Sequence, residues 1–372
     1  MTLTLLDVTS KIGSGATPRG GKSVYQDTGV SFLRSQNILD FSVSDEGMAF
    51  IDDDAAHALR SVAVRAGDVL VNITGDSVAR VAIWERADDA RVSQHVAIVR
   101  PDPDVAVGRY LMYWLIASAQ KSALLTLSAA GGSRPALTKG MLEQFPFGSH
   151  SLPEQGAIAE VLGVLDDKIA ANRRVLTTTE TLLEGLALRF RANGTPTTLG
   201  ALLRLNYGKS LPVAKRTHGK VAVVGSGGVA GTHDKALVDG PCVVLGRKGS
   251  VGETYWIDGP AYPIDTTYWV EPTKAPLLYL YYLLKSIDFA SMSTDSAVPG
   301  LNRDRAYAVE VPAADPTDMN EFESEASSLA ELRKAVRTEN ERLAATRDEL
   351  LPLLMSGKIT VKDAENRIEE AE

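Results

Sequence analysis

Two stretches of the chain carry apolar residues in alternating steps of four and three, and both predict long helices. The first opens at Ser151-Leu152-Pro153-Glu154, where a serine cap, an early proline and an acid three residues after the serine form a helix-start signal. Ile158, Leu162, Leu165, Ile169, Asn172, Leu176, Thr179, Leu183, Leu186 and Phe190 then follow in unbroken register until Gly194 and Pro196. A 3.5-residue period marks a coiled-coil seam. A helix of ~38 residues at 1.5 Å per residue is roughly 55 Å long. Asn172 is either a register-setting seam residue or a solvated position. The second stretch runs from about Thr317 to Met355, with Leu329, Val336, Leu343 and Leu350 every seven residues. Leu332, Leu353 and Leu354 partly fill its second seam position, while Glu339, Asn340, Thr346 and Arg347 spoil that flank. Gly357 stops the helix, and Lys358 to Val361 is expected to be a short extended segment.

The segments before each helix share an order of features. Each opens on a basic, glycine-containing loop, Gly13 to Lys22 in the first and Tyr207-Gly208-Lys209-Ser210 in the second. A strand-like run ending in polar residues follows, Val30 to Asn37 and Val221 to Gly228. An apolar strand then feeds a polar turn, Gly67 to Asp76 and Gly240 to Gly252. Tyrosine-rich helical stretches come next, Tyr110 to Leu127 and Leu277 to Met292, and a Gly/Pro turn closes each unit at Gly131 to Pro135 and Pro299-Gly300. The pattern predicts a tandem duplication of a globular unit plus a long helix.

A chain of 372 residues accommodates two or three such domains. No run reaches the ~20 apolar residues of a membrane span, and Met1 to Lys11 shows no secretory signal. Cys242, the one cysteine, excludes an internal disulfide framework and a multi-cysteine metal site, so a soluble, cytoplasmic protein is expected. The net charge of −8 argues at first against a nucleic-acid partner. Its distribution weakens that argument, because residues 313–372 hold 8 basic against 15 acidic groups and the globular units are near neutral.

Catalytic signals are weak. Ala16-Thr17-Pro18-Arg19-Gly20-Gly21-Lys22-Ser23 approaches a phosphate-binding loop, which would make Lys22 and Ser23 a nucleotide site, but the leading glycine is displaced. His57, His95, His150, His218 and His233 lack metal-ligand spacing. Asp52-Asp53-Asp54 reads as a solvated turn. No nucleophile elbow is present, nor the Asn-Pro-Pro-aromatic turn a methyltransferase would need. What remains suits base edges and phosphates, since Arg pairs with guanine and Asn or Gln with adenine. Arg34, Ser35, Gln36 and Asn37 cluster at a strand end, with Arg19 and Lys22 placed for phosphates. Thr74, Arg80, Arg134 and Lys139 are further candidates in the first unit. In the second, Lys209, Lys215, Arg216, Lys220, Arg247, Lys248, Ser250, Asn302, Arg303 and Arg305 are the candidates.

At these residues the chain resembles the specificity (S) subunits of type I restriction-modification systems. The resemblance rests on Leu152-Pro153-Glu154-Gln155, Ile158, Leu162 and Leu165-Asp166-Asp167-Lys168-Ile169, and on Glu349 to Ile359. Gly13 to Asn37, Gly246 to Gly252, Pro263 to Thr267 and Pro299 to Asn302 look like segments of the family's target-recognition domains. The second junction, Val311 to Pro316, departs by lacking the Glu-Gln pair, so different contacts are expected there. The resemblance implies an α+β fold. Two target-recognition domains, residues 1–150 and 194–313, are joined by two long helices, 151–193 and 314–372 with its tail, packed as an antiparallel coiled coil. It further implies a non-catalytic chain reading a bipartite sequence in double-stranded DNA, with the helices setting the spacing. Modification subunits, two of them, would supply S-adenosylmethionine chemistry, and restriction subunits ATP- and Mg-dependent cleavage; no cofactor or metal is expected in this chain. The alternatives are a nucleotide enzyme at Lys22 and a coiled-coil scaffold that binds only proteins.

Overall fold

The computed structural model describes residues 3–130, 134–148, 150–292 and 300–371. Gly131 to Ser133 of the first Gly/Pro turn and Pro299 of the second lie outside them. The first part of the chain forms β1 (Thr9–Ser14), β2 (Val30–Leu33), β3 (Ala49–Ile51), α1 (Asp53–Ala58), β4 (Asp68–Asn72), β5 (Val81–Trp84), β6 (Ala90–Val92) and β7 (Val96–Pro101). The helices α2 (Gly108–Ile116), α3 (Ser118–Ala129), α4 (Lys139–Glu143) and α5 (Leu152–Arg191) follow. The second part forms β8 (Thr195–Thr198), α6 (Leu199–Leu202), β9 (Leu203–Tyr207), β10 (Val221–Gly225), β11 (Gly228–His233), β12 (Cys242–Gly246), β13 (Thr254–Ile257), β14 (Ala261–Pro263) and β15 (Thr267–Pro272). It ends in α7 (Leu277–Lys285), α8 (Arg303–Tyr307), β16 (Glu310–Ala313), α9 (Pro316–Met355) and α10 (Val361–Ala371).

Contacts divide the chain into one unit of residues 1–171 and 340–372 and another of 172–339. The division runs through the long helices rather than at their ends, because each half-helix buries its seam within a globular unit.

In the first unit β4 is buried along its whole length, which is why its centre, Val69-Leu70-Val71, is a continuous apolar run rather than an alternation. Val69 and Val71 face a core with α2, while Leu70 faces a second core with Phe32 and Ile51 of the three-stranded sheet. The four-stranded sheet has the order β1-β7-β4-β5 and the three-stranded sheet β3-β2-β6. The second unit repeats both, as β9-β15-β12-β13 and β11-β10-β14. Even strand directions match, since β2 with β6 and β10 with β14 are the parallel pairs.

The tyrosine-rich stretches differ from the expected single helices. Ala117, in extended conformation, breaks the first into α2 and α3, and α7 ends at Lys285 with a separate 3-10 turn at Ala290–Met292. Asp52 caps α1 by accepting from the Ala55 amide at 2.7 Å, so the acidic run is a helix start, with Asp53 and Asp54 in its first turn.

The seam of α5 holds in both units. Ile158, Leu162, Leu165 and Ile169 are buried in the first, and Asn172, Thr179 and Leu183 in the second, with Leu176, Leu186 and Phe190 half-buried. Asn172 is 5% exposed and donates to a Glu339 carboxylate oxygen at 2.7 Å, which makes it a seam residue and not a solvated one. On α9, Leu350 and the half-buried Leu343 pack in the first unit, and Val336 and the half-buried Leu329 in the second. The expected filling of the second seam position by Leu332 is corrected. Leu332 is 43% exposed, and buried Arg333 and Arg347 occupy the seam instead. The 358–361 segment is also not extended, because Thr360 caps α10 through Asp363.

Two matching triads explain how arginine survives in that seam. In the first unit the Tyr113 hydroxyl of α2 donates to Asp166 of α5 at 2.6 Å, and Arg347 of α9 donates to the other carboxylate oxygen at 2.7 Å. The Arg347 guanidinium also lies 3.5 Å from the Phe41 ring centroid. In the second unit Tyr282 of α7 donates to Glu180 of α5 at 3.2 Å, and Arg333 of α9 pairs with the same carboxylate at 2.7 Å. Lys285 bonds Glu180 and Glu184 at 2.6 Å each. Within the second unit the pairs Glu180–Arg333 and Arg189–Glu325 advance along α5 while retreating along α9, so the helices are antiparallel there.

The helix starts differ as the sequence departure implied. Glu154 accepts from the Ser151 amide at 2.8 Å, and buried Gln155 accepts from Val107 N–H at 3.0 Å and donates to the His150 carbonyl at 3.1 Å. At the second junction Asp315 caps α9 by accepting from Thr317 and Asp318, and the Ala314 amide donates to the Tyr279 hydroxyl.

Two outcomes follow from the triads. Arg347→Ala strands the Asp166 charge and should cost about 3–5 kcal/mol in chemical denaturation, whereas Asp166→Asn with Arg347→Met should cost less. The pH responses have opposite signs. Burial raises Asp166 more than Tyr113 and Arg347 lower it, so its stabilising contribution is complete in acid and is lost as pH rises through the raised value. Burial also pushes Glu180 upward, but Lys285 and Arg333 outweigh it and hold the carboxyl below its usual value. Its contribution is present above the ordinary carboxylate range and lost as pH falls through the lowered value. In unfolding titrations from neutral pH into acid, the unsubstituted protein should gain on Asp166→Asn and lose ground to Glu180→Gln.

Candidate nucleic-acid interface

The turns that leave the strand ends of the first unit gather half of its candidate side chains in one open cavity of about 570 Å³. Ser35 and Gln36 come from the 3-10 turn after β2, Thr74 to Ser77 and Arg80 from the turn after β4, His95 from the start of β7, and Arg134 to Ala136 from the approach to α4. Backbone pairing sets this edge, because Thr74 bridges Ala136 and the Leu137 amide donates to the Ile73 carbonyl at 2.8 Å. Asn72 ties the loops from beneath, donating to the Ser35 carbonyl at 2.9 Å and the Ser77 hydroxyl at 3.1 Å.

Not every expected contact residue faces this cavity. Asn37 is fully buried; its oxygen accepts from the Arg34 amide, and its nitrogen donates to the Ser44 and Glu46 carbonyls, each at 3.1 Å. Its expected role as a base reader is corrected to shaping the turn. Arg34 stacks 5.4 Å from the Tyr25 ring and donates to the Gly47 carbonyl, which Gln36 also reaches at 3.2 Å. Arg19 and Lys22 are exposed but do not line the cavity, and Lys139 pairs with Glu143 at 3.4 Å. His95, Ser77 and Asn72 escaped the sequence reading. Asn72 and Ser77 carried a signal as polar residues at the end of an apolar strand; His95 carried none. The His95 ring is fixed on both nitrogens, by the Thr74 hydroxyl at 2.7 Å and the Gln94 amide at 2.9 Å.

The Lys22 segment lacks the geometry of a nucleotide site. It follows β1 but opens a single 3-10 turn, Gly21–Val24, instead of an α-helix whose first amides would cradle phosphates. Its glycine requirement lies elsewhere. A Cβ on Gly15 would sit 2.1 Å from the Val92 carbonyl oxygen, and one on Gly208 would sit 2.1 Å from that of Ile264. Each glycine lets its loop pass against the neighbouring strand. Among the described residues no group of three or more His, Cys, Asp or Glu side chains is arranged to hold a metal ion.

The second unit has the same backbone frame with other side chains. Lys248 bridges Gly300 as Thr74 bridges Ala136, and the Leu301 amide donates to the Arg247 carbonyl as Leu137 does to Ile73. Lys209, Lys215, Lys220, Lys248, Ser250 and Arg305 are exposed. Arg216 is committed to the Ala230 carbonyl at 2.6 Å, and the Asn302 oxygen caps α8. Arg247 and Arg303 are half-buried, with their guanidinium carbons 5.2 and 5.1 Å from the centroid of the Tyr207 ring. The pattern in both units is acceptors, donors and unpaired cations presented on rigid strand ends. That chemistry fits the edges and phosphates of a nucleic acid better than a small-molecule reaction.

No family model matches the chain. No curated protein matches it either. Solved structures do. The S subunit of the type I restriction-modification system from M. genitalium aligns over 95% of both chains, with 18% identity and a TM-score of 0.61. The HsdS subunit from Thermoanaerobacter tengcongensis aligns over 96% of this chain and 95% of its own, with 15% identity, but its TM-score of 0.36 is too low to establish a shared fold. Sheet order, the packed pair of long helices and the first of these alignments agree: the chain has the fold of a type I restriction-modification S subunit.

Proposed function

We propose that the chain is the non-catalytic DNA-specificity subunit of a type I restriction-modification complex. The observation that carries this is the repeated frame itself, with the same strand order twice and different polar side chains at the same strand ends. Repetition of the scaffold supplies two readers; divergence of the ends lets them read different half-sites of double-stranded DNA. The long helices set the spacer between half-sites, and their outer surfaces dock modification subunits, two per complex. Methyl transfer from S-adenosylmethionine, and ATP- and Mg-dependent translocation and cleavage, belong to the modification and restriction subunits. The complex works in the cytoplasm. No described helix is long and apolar enough to cross a membrane. The acidic balance of the chain is tolerated because partner subunits share the neutralisation of phosphates.

Mapping methylated adenines in cells with and without the chain tests the proposal. A bipartite motif that disappears with the chain is expected; an unchanged methylation map would refute it. The two contact classes separate in the assembled complex. Gln36→Ala should relax one half-site, at about 1–3 kcal/mol for a lost bidentate base contact. Lys22→Ala should weaken all sequences alike and reduce the salt slope by about 1.

A further inference from the structure

Tyr207 closes β9 at the open edge of the four-stranded sheet of the second unit and is 50% exposed. Two arginines converge on its ring. Arg247 leaves the end of β12 and Arg303 opens α8, and their guanidinium carbons lie 5.2 and 5.1 Å from the ring centroid. Arg247 also lies 5.7 Å from the ring of Tyr268, whose own centroid is 5.0 Å from that of Tyr207. One nitrogen of Arg247 donates to the Asp265 carbonyl at 2.7 Å, which fixes the plane of the fork. Among the described residues neither arginine forms an ion pair, and the buried Nε of each has no hydrogen-bond partner.

The ring holds both guanidinium groups by cation–π contact, and with no carboxylate paired to either among the described residues they are left to donate to a ligand rich in acceptors. The sheet registers show that the first unit has no such device. Tyr268 pairs with Tyr207 and with Leu245, as Ala97 pairs with Ser14 and with Val71. Tyr207 therefore corresponds to Ser14, Arg247 to Ile73 and Arg303 to Lys139. A contact needed only to hold the phosphate backbone would serve both halves equally. The aromatic-stacked pair belongs to one half alone, and that asymmetry points to sequence readout. Guanine, with O6 and N7 as adjacent acceptors in the major groove, is the base that a guanidinium fork matches.

Resting on the DNA-reading function proposed above, we infer that Arg247 and Arg303 read guanine in the second half-site. Tyr207 is a positioning residue that holds both forks in place. The first half lacks the ring-stacked pair; its cavity presents Ser35, Gln36, Thr74 and His95 together with the unstacked Arg80 and Arg134.

The test uses the full chain assembled with its modification subunits. Bound duplexes are selected from a random pool at two salt concentrations and sequenced. Arg247→Ala and Arg303→Ala should each lower the preference for guanine at one position by about ten- to a hundredfold, in the half-site that Gln36→Ala leaves intact. Arg247→Lys and Arg303→Lys keep the charge but not the fork, so they too should lose the preference. These lysine variants decide the matter if the alanine variants melt early. Tyr207→Phe should preserve the motif by keeping the ring, and Tyr207→Ser should relax both positions. Uniform weakening of all sequences with a shallower salt dependence would assign the arginines to phosphates and overturn the inference. A second half-site without guanine would overturn it as well. If the unsubstituted assembly enriches no sequence, the DNA-reading function falls together with the inference. If it enriches a motif that the arginine variants leave intact, only the inference falls.

Discussion

A half-buried carboxylate that must find a cation fixes each globular unit to its stretch of the paired helices. Asp166 and Glu180 sit two heptads apart on α5, and their partners Arg347 and Arg333 are two heptads apart on α9. A tyrosine hydroxyl from the unit's own helix, Tyr113 or Tyr282, completes each triad. Desolvating such a pair is costly, and only full use of its hydrogen-bonding capacity offsets that cost. The ions therefore act more by specifying register than by adding stability. An aliphatic seam alone tolerates slippage by a heptad; a carboxylate that bonds a tyrosine from one direction and an arginine from another does not.

The triads also explain the unequal character of the two helices. The seam of α5 is apolar apart from Asn172 and Thr179, and its acids lie beside the seam facing the tyrosine helices. The α9 helix supplies the long cationic side chains that reach them, so arginines replace leucines at seam positions. Residues 313–372, which include α9 and α10, carry most of the chain's net negative charge.

On this fixed frame the strand ends are free to vary. The constant elements are backbone features, such as the glycine-lined passes at Gly15 and Gly208 and the bridges Thr74–Ala136 and Lys248–Gly300. The variable elements are side chains: hydroxyl, amide and imidazole groups with Arg80 and Arg134 around Thr74 in one unit, and arginines stacked on Tyr207 in the other. A duplicated frame with different side chains at the same strand ends can change what those ends present without disturbing how either half folds.

The long helices, their seam and the tandem order of the globular segments were legible in the sequence. Each rests on local periodicity or on turn residues whose conformational demands are intrinsic. Arg347 was read only as a defect in the flank of α9 because periodicity scores an arginine in a seam that way; the folded chain brings Asp166 to it. Asn37 looked like a base reader because its amide chemistry permits that role, and the backbone carbonyls of Ser44 and Glu46 claimed it instead. His95, the groove beneath Gln36 and the arginines on Tyr207 are made by residues distant in sequence, and no local pattern announces them. The sequence by itself determined the elements and their duplication, since these follow from short-range propensity and hydrophobic period. Which polar groups are spent inside and which remain to meet a partner was decided by tertiary structure alone, because that depends on the hydrogen bonds available at each buried position.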